Sequence, residues 1–460
     1  MGYRLRQIED GSKFSDAVRL AAIEQAVPLS AIEAALASTG VRAQRERKLN
    51  MAVIMLLVVA MGIYTRLSIG ESMIKMVRGL RFVWPDPEYT VPRDNALCYR
   101  RYQLGAPAVV ALFHRVCVPL ATPKTPGAFL FGLRLMAIDG TTEAAADTPA
   151  NAAAFGRHHG DRGASAFPQL QGVYLAECGT HAIVDAGFWP CHTSERVGGL
   201  RMLRSLQPGM LVMWDRGFHD FKMVHRAQQR GAQVLSRLPA GARPKQVRRL
   251  ADGTWLGYLR PAHRRPQGAR VLVRIIEYTL TDPALPGYGE RHRLLTTLVD
   301  PTAYPALDLA CAYHERWEVE IVIDEVDTHQ RLAGRPLRSL KPVGVIQELY
   351  GLLIAHYAIR CLMHAAACEA GLDPDRLSFT HALQVICDAV PEFQMVAPEQ
   401  LPQLYTRMLR DIASRPLPKR RLRSMPRVVK RKMSNFRLKR EEHRSWPHPT
   451  LTIREAISLI

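Results

Sequence analysis

Two short apolar segments, each leading into an aspartate, constrain the fold of this chain more than any other feature. Leu133–Ile138 precedes Asp139, and Met210–Trp214 precedes Asp215. Around them, strand-like and helix-like segments alternate from about residue 131 to about residue 238. Strands followed by a strand-helix-strand order predict a mixed α/β (α+β) domain, in which helices flank a mixed sheet.

The remaining elements of this region follow from the same alternation. The predicted strands are Gly172–Glu177, Ala182–Trp189 and Gln233–Leu238, and the predicted helices are Ser194–Leu206, with Ser194 as N-cap, and Asp220–Arg230. Residues 240–300 hold short strand-like segments separated by Pro, Gly and Arg, namely Thr254–Leu259, Arg270–Leu280 and Leu294–Val299. We therefore predict a β-rich insertion there.

The sequence predicts three parts. Residues 1–125 form a helical N-terminal domain, 126–340 form the α/β core with its insertion, and 341–460 form a helical region with a basic tail. Near the N-terminus, Phe14–Gln25 and Ala31–Ala37 are helix-like, with Ser30 as an N-cap. This pair is compatible with a DNA-binding helix-turn-helix and with an ordinary helical hairpin. Leu49–Tyr64 and Val343–Ala367 are apolar almost all round, which predicts buried helices.

The charge balance points to a polyanionic partner. The chain has 62 Lys and Arg against 42 Asp and Glu, a net charge of +20. Neutralised phosphates release counterions, so nucleic acid is the first candidate and an anionic membrane surface the second. Residues 415–440 hold 12 basic residues and no acid. They form either a solvated tail or a contact with the DNA backbone.

The other bulk features indicate a soluble cytoplasmic protein. The longest apolar run, Met51–Tyr64, is shorter than the roughly 20 residues of a spanning helix, and the N-terminus lacks the apolar core of a signal peptide. The 8 cysteines are scattered singly, which argues against a zinc site and favours small buried side chains.

A third acid, on a predicted helix from Leu309 past Arg331, completes a pattern of metal chemistry. On that helix Tyr313, Arg316, Glu320, Asp324 and Asp327 fall within an arc of about 80°. Val319, Val322, Ile323 and Val326 lie on the opposite, core-facing side. Carboxylates suit Mg²⁺, and converging carboxylates repel one another without metal. Taken singly, each aspartate also suits a turn or cap, and the polar stripe suits a solvated face.

These motifs resemble the DDE transposases of the bacterial insertion-element-four family. The family pattern has an Asp after a first strand, an Asp-Arg-Gly-Phe-like turn, and a helix with Tyr-x2-Arg-x3-Glu-x6-Lys. Here these are Asp139, Asp215, and Tyr313 with Arg316 and Glu320. The flanking segments 151–156 and 294–298 and the helical stretch from about residue 4 to 80 are also similar to the family, so the resemblance covers about 4–390.

The resemblance implies a ribonuclease-H-like core that cuts and rejoins DNA at the ends of an insertion element. It implies that Asp139, Asp215 and Glu320 are catalytic and hold two Mg²⁺ (or Mn²⁺) ions. Arg316 and Tyr313 are expected to contact DNA phosphate. The partners are double-stranded DNA of the terminal repeats and the target, without a membrane, and synapsis of two ends would suit a homodimer. Trp255 in the insertion is a stacking residue or simple core.

One family position differs. Seven residues after Glu320 the family has a Lys that is thought to contact DNA phosphate, and this chain has Asp327. Arg331 lies one helical turn further on the same face and is the predicted substitute. Two alternatives stay open, and Asp327 favours the first of them. One is a DNA-binding copy without catalysis, acting as a repressor or a domesticated protein. The other is a ribonuclease-H-like nuclease unrelated to transposition.

Overall fold

The computed structural model describes residues 26–41, 50–79, 92–160, 163–261, 270–285, 287–331, 334–395, 398–418, 428–429, 437–443 and 449–460. The predicted helix Phe14–Gln25, the segment 42–49 and most of the basic tail lie outside these residues. The chain divides into two compact units. The first comprises Met1–Phe129, Ile138–Ser205 and Glu318–Leu417, and the second comprises Leu130–Ala137, Leu206–Trp317 and Pro418–Ile460.

The described helices are, in chain order, α1 (Leu29–Ser38), α2 (Met51–Ile63), α3 (Ile69–Gly79), α4 (Asp94–Val116), α5 (Pro149–Phe155), α6 (Glu195–Met202), α7 (Phe221–Gln229), α8 (Ala306–His314), α9 (Trp317–Asp324), α10 (Pro342–Ala370), α11 (Phe379–Met395), α12 (Leu401–Ala413) and α13 (Ile453–Ala456). A π-helix, Glu325–Gln330, directly follows α9.

The described strands are β1 (Phe129–Leu130), β2 (Leu133–Ala144), β3 (His159–Gly160), β4 (Gly163–Ala164), β5 (Gln169–Glu177), β6 (Ile183–Pro190), β7 (Met210–Trp214), β8 (Gln233–Arg237), β9 (Lys245–Arg249), β10 (Trp255–Leu259), β11 (Val271–Leu280), β12 (His292–Thr296), β13 (Val428–Val429), β14 (Arg437–Leu438) and β15 (Ile457–Leu459).

Strand β2 contributes residues to both units. In the first unit it is followed by β5 and then β6, which form an antiparallel hairpin from Leu170↔Pro190 to Ala176↔Ile183. In the second unit the order is β2-β7-β8-β12-β11-β10-β9. Strands β7 and β8 are parallel, as the strand-helix-strand pattern predicts, and β15 adds to β11. The mixed α/β fold class is therefore confirmed.

Several predicted boundaries need correction. Strand β2 runs past Asp139 to Ala144, so Asp139 lies inside the strand rather than at its end. The strands of the predicted insertion continue the second unit's sheet, because β12 pairs with β8. Ser30 does not cap α1, whose N-cap is Pro28, and Ser194 occupies the N-cap of α6 without a side-chain hydrogen bond. The boundaries of the two units also differ from those of the three predicted parts. The three-part division stays a prediction.

The predicted single helix Leu309–Arg331 is wrong in one respect. It breaks at Glu315–Arg316, between α8 and α9, and its last part is the π-helix. The predicted core side holds in part: Val319, Val322 and Val326 are buried, and Ile323 is half-buried. The opposite side is not a plain solvated face, because Tyr313 and Arg316 are also buried.

The predicted apolar helices α2 and α10 pack against each other in the first unit. Helix α10 is long and apolar enough to cross a membrane by length and composition, but 78% of its most apolar stretch is buried inside the protein. Core helices of soluble proteins pass the same test, so α10 is weak evidence for a membrane span. Gly62 and Gly351 permit the close packing, since a Cβ at Gly351 would lie 2.5 Å from the Val58 carbonyl oxygen.

Replacing Gly351 by alanine should destabilise the first unit by about 1–3 kcal/mol, because the added methyl group forces α2 and α10 apart. Helix propensity alone would favour alanine by about 1 kcal/mol, so the sign of the change separates the two effects. Gly241→Ala is the matched control, since a Cβ there meets no atom within 4 Å. Urea unfolding monitored by circular dichroism measures both. A Gly351→Ala protein as stable as wild type would contradict the close packing.

Candidate active site

One face of β2 carries three side chains of the candidate site. Asp139, Thr141 and Glu143 alternate with their neighbours, and residues two apart point to the same side of a strand. Asp139 is half-buried, and one of its carboxylate oxygens accepts a hydrogen bond from the Gly140 N–H at 2.8 Å. Glu143 is buried.

The end of α9 and the π-helix after it face this strand within the first unit. The Thr141 hydroxyl donates to an Asp327 carboxylate oxygen at 2.9 Å. The Arg331 guanidinium forms an ion pair with Glu143 and lies 3.7 Å from the other Asp327 oxygen. We call Thr141, Glu143, Asp327 and Arg331 the strand-helix clasp. It fixes the strand of Asp139 against the helical segment that carries Glu320.

The two contacting pairs of the clasp also show the relative direction of β2 and the helical segment. Thr141 meets Asp327 and Glu143 meets Arg331, so strand and helical segment run the same way. Asp139 lies about 6.6 Å before Thr141 along the strand. Glu320 comes before Asp327 in the chain, as Asp139 comes before Thr141. Glu320 is half-buried, as Asp139 is.

Asp215 belongs to the second unit, at the end of the fully buried strand β7. It is the N-cap of a single 3-10 turn, Arg216–Phe218, and accepts a hydrogen bond from the Gly217 N–H at 2.8 Å. The apolar strand followed by Asp-Arg-Gly-Phe folds in this way because the Asp side chain satisfies a free N–H of the turn. Asp215 is half-buried.

Tyr313 and Arg316 are also in the second unit. The Tyr313 hydroxyl donates to the Trp214 carbonyl at 3.4 Å, which ties α8 to the end of β7 next to Asp215. Burial raises the pKa of Tyr313 to about 12, so it is a neutral donor. The Arg316 guanidinium carbon lies 5.9 Å from the centre of the Tyr313 ring and 5.4 Å from that of the Trp317 ring. These contacts orient both predicted DNA-binding residues.

Arg331, the third predicted DNA-binding residue, has two carboxylates beside it and also donates to the Arg335 carbonyl at 3.0 Å. Asp327 has an unusual protonation state. Burial and the adjacent Glu143 carboxylate raise the pKa of Asp327 to about 8. At neutral pH Asp327 is therefore mostly uncharged, and the repulsion of DNA phosphate expected from its sequence is reduced.

Replacing Asp327 by asparagine should stabilise the protein increasingly as pH rises from about 4 to about 8. Over that interval an unfolded aspartate, with a pKa of about 3.9, has lost its proton while the folded one retains it, so wild-type stability falls as pH rises. The upper limit of this effect is about 1.4 kcal/mol per pH unit. Urea unfolding at a series of pH values measures it, with exposed Asp324→Asn as control. A pH-independent difference between Asp327→Asn and wild type would contradict the raised pKa.

The donor chemistry of Asp139, Asp215 and Glu320 fits a hard divalent cation, because all three offer half-buried carboxylate oxygens. Across the described ranges, no group of three or more His, Cys, Asp or Glu side chains is gathered so as to hold a metal ion. The three carboxylates therefore fit a divalent cation in the type of donor atom that they offer and in their exposure.

A second polar cluster lies in the first unit and was not predicted from the sequence. His181 contacts Glu318 at 2.7 Å and Glu325 at 3.0 Å, and Glu325 also contacts His356 at 3.1 Å and forms an ion pair with Arg360. We call these five residues the buried ion network, since all are buried. Its sequence signal is the presence of His356 and Arg360 in the apolar helix α10, because ionisable groups in such helices need partners.

The members of the buried ion network shift one another's pKa values. Burial and Arg360 lower the pKa of His181, but Glu325 and Glu318 outweigh them and raise it overall. Burial acts to raise the pKa of Glu325, but Arg360 and His181 hold it well below its usual range. The charged forms of Glu325 and His181 are thus favoured beside Arg360, and burial lowers the pKa of His356, which favours its neutral form. The network anchors Glu318 and Glu325, on either side of Glu320, to β5–β6 and α10.

Known proteins are similar to this chain over most of its length. A family model described as "Transposase DDE domain" matches residues 130–358, and one described as "Insertion element 4 transposase N-terminal" matches 17–114. The chain is also 28% identical over 432 residues to the transposase InsG for insertion sequence element IS4 of Escherichia coli (strain K12), covering 91% of each chain.

The fold and these matches thus define an enzyme of the DDE transposase class with a ribonuclease-H-like core. This chain belongs to the insertion-element-four family of DDE transposases, as its motifs predict. The family uses divalent metal ions. Among solved structures, the chain resembles that of a piggyBac transposase synaptic complex with hairpin DNA, at a TM-score of 0.45 and 10% identity, covering 88% of this chain and 86% of that one.

Proposed function

We propose that Asp139, Asp215 and Glu320 are the catalytic carboxylates and the metal ligands of this transposase. The metal is Mg²⁺, or Mn²⁺ in its place, bound as two ions. The observation that carries this proposal is the strand-helix clasp, which holds the helical segment of Glu320 against the strand of Asp139. The half-buried carboxylates and the family pattern at all three positions support it.

The reaction is cleavage of DNA at the element ends, followed by attack of the freed 3′-OH on target DNA. Bound metal supplies an activated water and neutralises charge at the scissile phosphate. Arg316 offers a planar guanidinium for bidentate binding of phosphate, stacked over Tyr313 and Trp317. Tyr313 orients the end of β7 through the Trp214 carbonyl. For Arg331, the carboxylates around it favour a positioning role over the predicted DNA contact.

The partners are the terminal repeats of the element and the target, both double-stranded DNA. The net charge of +20 supports binding to the DNA backbone. Bringing two ends together suits a homodimer in the synaptic complex. A bacterial chromosome lies in the cytoplasm, where we place this activity.

The test is incubation of the purified protein with a supercoiled plasmid that carries the flanking ends of its own element, with Mg²⁺, with Mn²⁺ and with EDTA. We expect cuts at both ends and joined products in target DNA, only with metal. Asp215→Asn, which keeps the side-chain shape, should still bind the ends without cutting them. Cleavage without joining would indicate a nuclease. Binding without any cleavage by wild type would leave the alternative of a DNA-binding protein without catalysis, which Asp327 in place of lysine favours.

A further inference from the structure

A small cavity in the first unit is lined by arginines. It has a volume of about 110 Å³ and lies where the end of α2 meets the segment between the π-helix and α10. Its charged lining residues are Arg66, Arg331, Arg335, Arg338 and Glu348. A water needs at least about 10–15 Å³ of such volume, so the cavity has room for several waters or one phosphate group.

Two of the four arginines are held by the protein. Arg331 pairs with Glu143 and Asp327 of the strand-helix clasp. Arg338 pairs with Glu348 at 3.0 Å and donates to the carbonyls of Leu67 and Met61. Their side chains therefore form fixed walls of the cavity, and their charges are matched by carboxylates.

In the described part of the chain, the other two arginines, Arg66 and Arg335, are not held by carboxylates in this way. Arg66 and Arg335 are exposed, and among the residues that the structure describes no carboxylate lies within ion-pair distance of either side chain. Two unmatched guanidinium groups at a polar cavity of this size suit a tetrahedral anion with several acceptor oxygens. Arginine binds phosphate bidentately, and it keeps its charge at every physiological pH.

The cavity is tied to the strand of the candidate active site. The Leu337 N–H donates to the Ala144 carbonyl at 2.8 Å, and Ala145 forms a bridge with Leu337. Ala144 lies about 17 Å along β2 from Asp139, at about 3.3 Å per residue. That length corresponds to about five base pairs of duplex at 3.4 Å each. The segment that lines the cavity is therefore joined to the strand of the candidate active site about 17 Å from Asp139.

We propose that Arg66 and Arg335 bind a backbone phosphate of DNA in this cavity. The proposal rests on the proposed function, because DNA supplies the phosphate. The contact is independent of base sequence, since a backbone phosphate carries no direct sequence information. It adds to affinity and to the alignment of the element end in the site.

The salt dependence of DNA binding tests this proposal. Binding of a fluorescein-labelled duplex, without metal, is measured by anisotropy between about 50 and 200 mM salt for wild type and for the double variant Arg66→Gln/Arg335→Gln. We expect the slope of log K against log salt concentration to become shallower by about 1, because one lost phosphate contact changes it by about 0.9. Arg66→Lys/Arg335→Lys keeps both charges and should retain most of the slope.

The matched control is Arg115→Gln/Lys124→Gln, which removes two exposed charges elsewhere in the same unit. An unchanged slope in the Arg66/Arg335 variant, or an equal change in the control, would overturn the proposal. The measurement needs no cleavage, so the two proposals fail separately. Cleavage by wild type with an unchanged slope overturns only the phosphate site, and a reduced slope without cleavage overturns only the catalytic proposal.

Discussion

Substitution of Glu320 by glutamine is expected to lower metal-dependent cleavage by at least about 10²-fold, while the protein stays folded. Glutamine has nearly the shape of glutamate but lacks the charge that a divalent cation requires. Glu320 is half-buried and lies outside the buried ion network, so the substitution leaves the charges of that network unchanged. Cleavage of end-bearing plasmid and urea unfolding give the two measurements.

Asp324→Asn is the matched control for this experiment. Asp324 is exposed one turn after Glu320 on α9, and its carboxylate pairs with His329 at 3.2 Å. The control removes one negative charge from the same helix and should leave cleavage close to wild type. Equal loss of cleavage in both variants would mean that the charge of the helix matters and that Glu320 has no special role.

Replacing Arg360 by methionine is expected to destabilise the protein by about 3–5 kcal/mol. Methionine retains the apolar length of arginine but leaves Glu325 buried without its main cation. His181 alone would then compensate two carboxylates. The backbone of His181 is also strained, with φ of 60°, and the network holds it in that conformation. Urea unfolding at neutral pH measures the loss.

Arg410→Met provides the comparison, since Arg410 makes an exposed ion pair with Glu369 at 3.7 Å. Exposed pairs contribute about 0–1 kcal/mol, so this variant should differ little from wild type. A double variant, Arg360→Met/Glu325→Gln, should recover part of the lost stability, because it no longer buries an unmatched carboxylate at position 325. An Arg360→Met protein with wild-type stability would show that the network contributes nothing to folding.

The sequence predicted the local elements well where a segment has a single pattern of apolar residues. Strand β7, helix α7 and the apolar helices α2 and α10 lie within a few residues of their predicted bounds. Each of these segments has one unmixed pattern, because burial alone decides which of its positions are apolar. The family was predicted from three motifs in the right order, and its confirmation came from residues spread over most of the chain.

What could not be predicted depends on contacts between distant segments. The break at Glu315–Arg316 follows from no helix-breaking residue, and Pro and Gly are absent from this stretch. A helical wheel therefore placed Asp327 and Arg331 on an open face, whereas Thr141 and Glu143 engage them from almost 190 residues away. The buried ion network likewise joins residues from a hairpin, α9, the π-helix and α10, and no local pattern shows such a meeting.

Strand β2 has a consequence for how this chain can change in length. Asp139, Thr141 and Glu143 share a face only while their spacing stays even, and one inserted or deleted residue turns every later side chain to the other side. A single-codon insertion between positions 139 and 141 would separate the Asp139 carboxylate from Thr141 and Glu143 at once. Natural and engineered variants should therefore tolerate substitutions in this stretch far better than changes in its length.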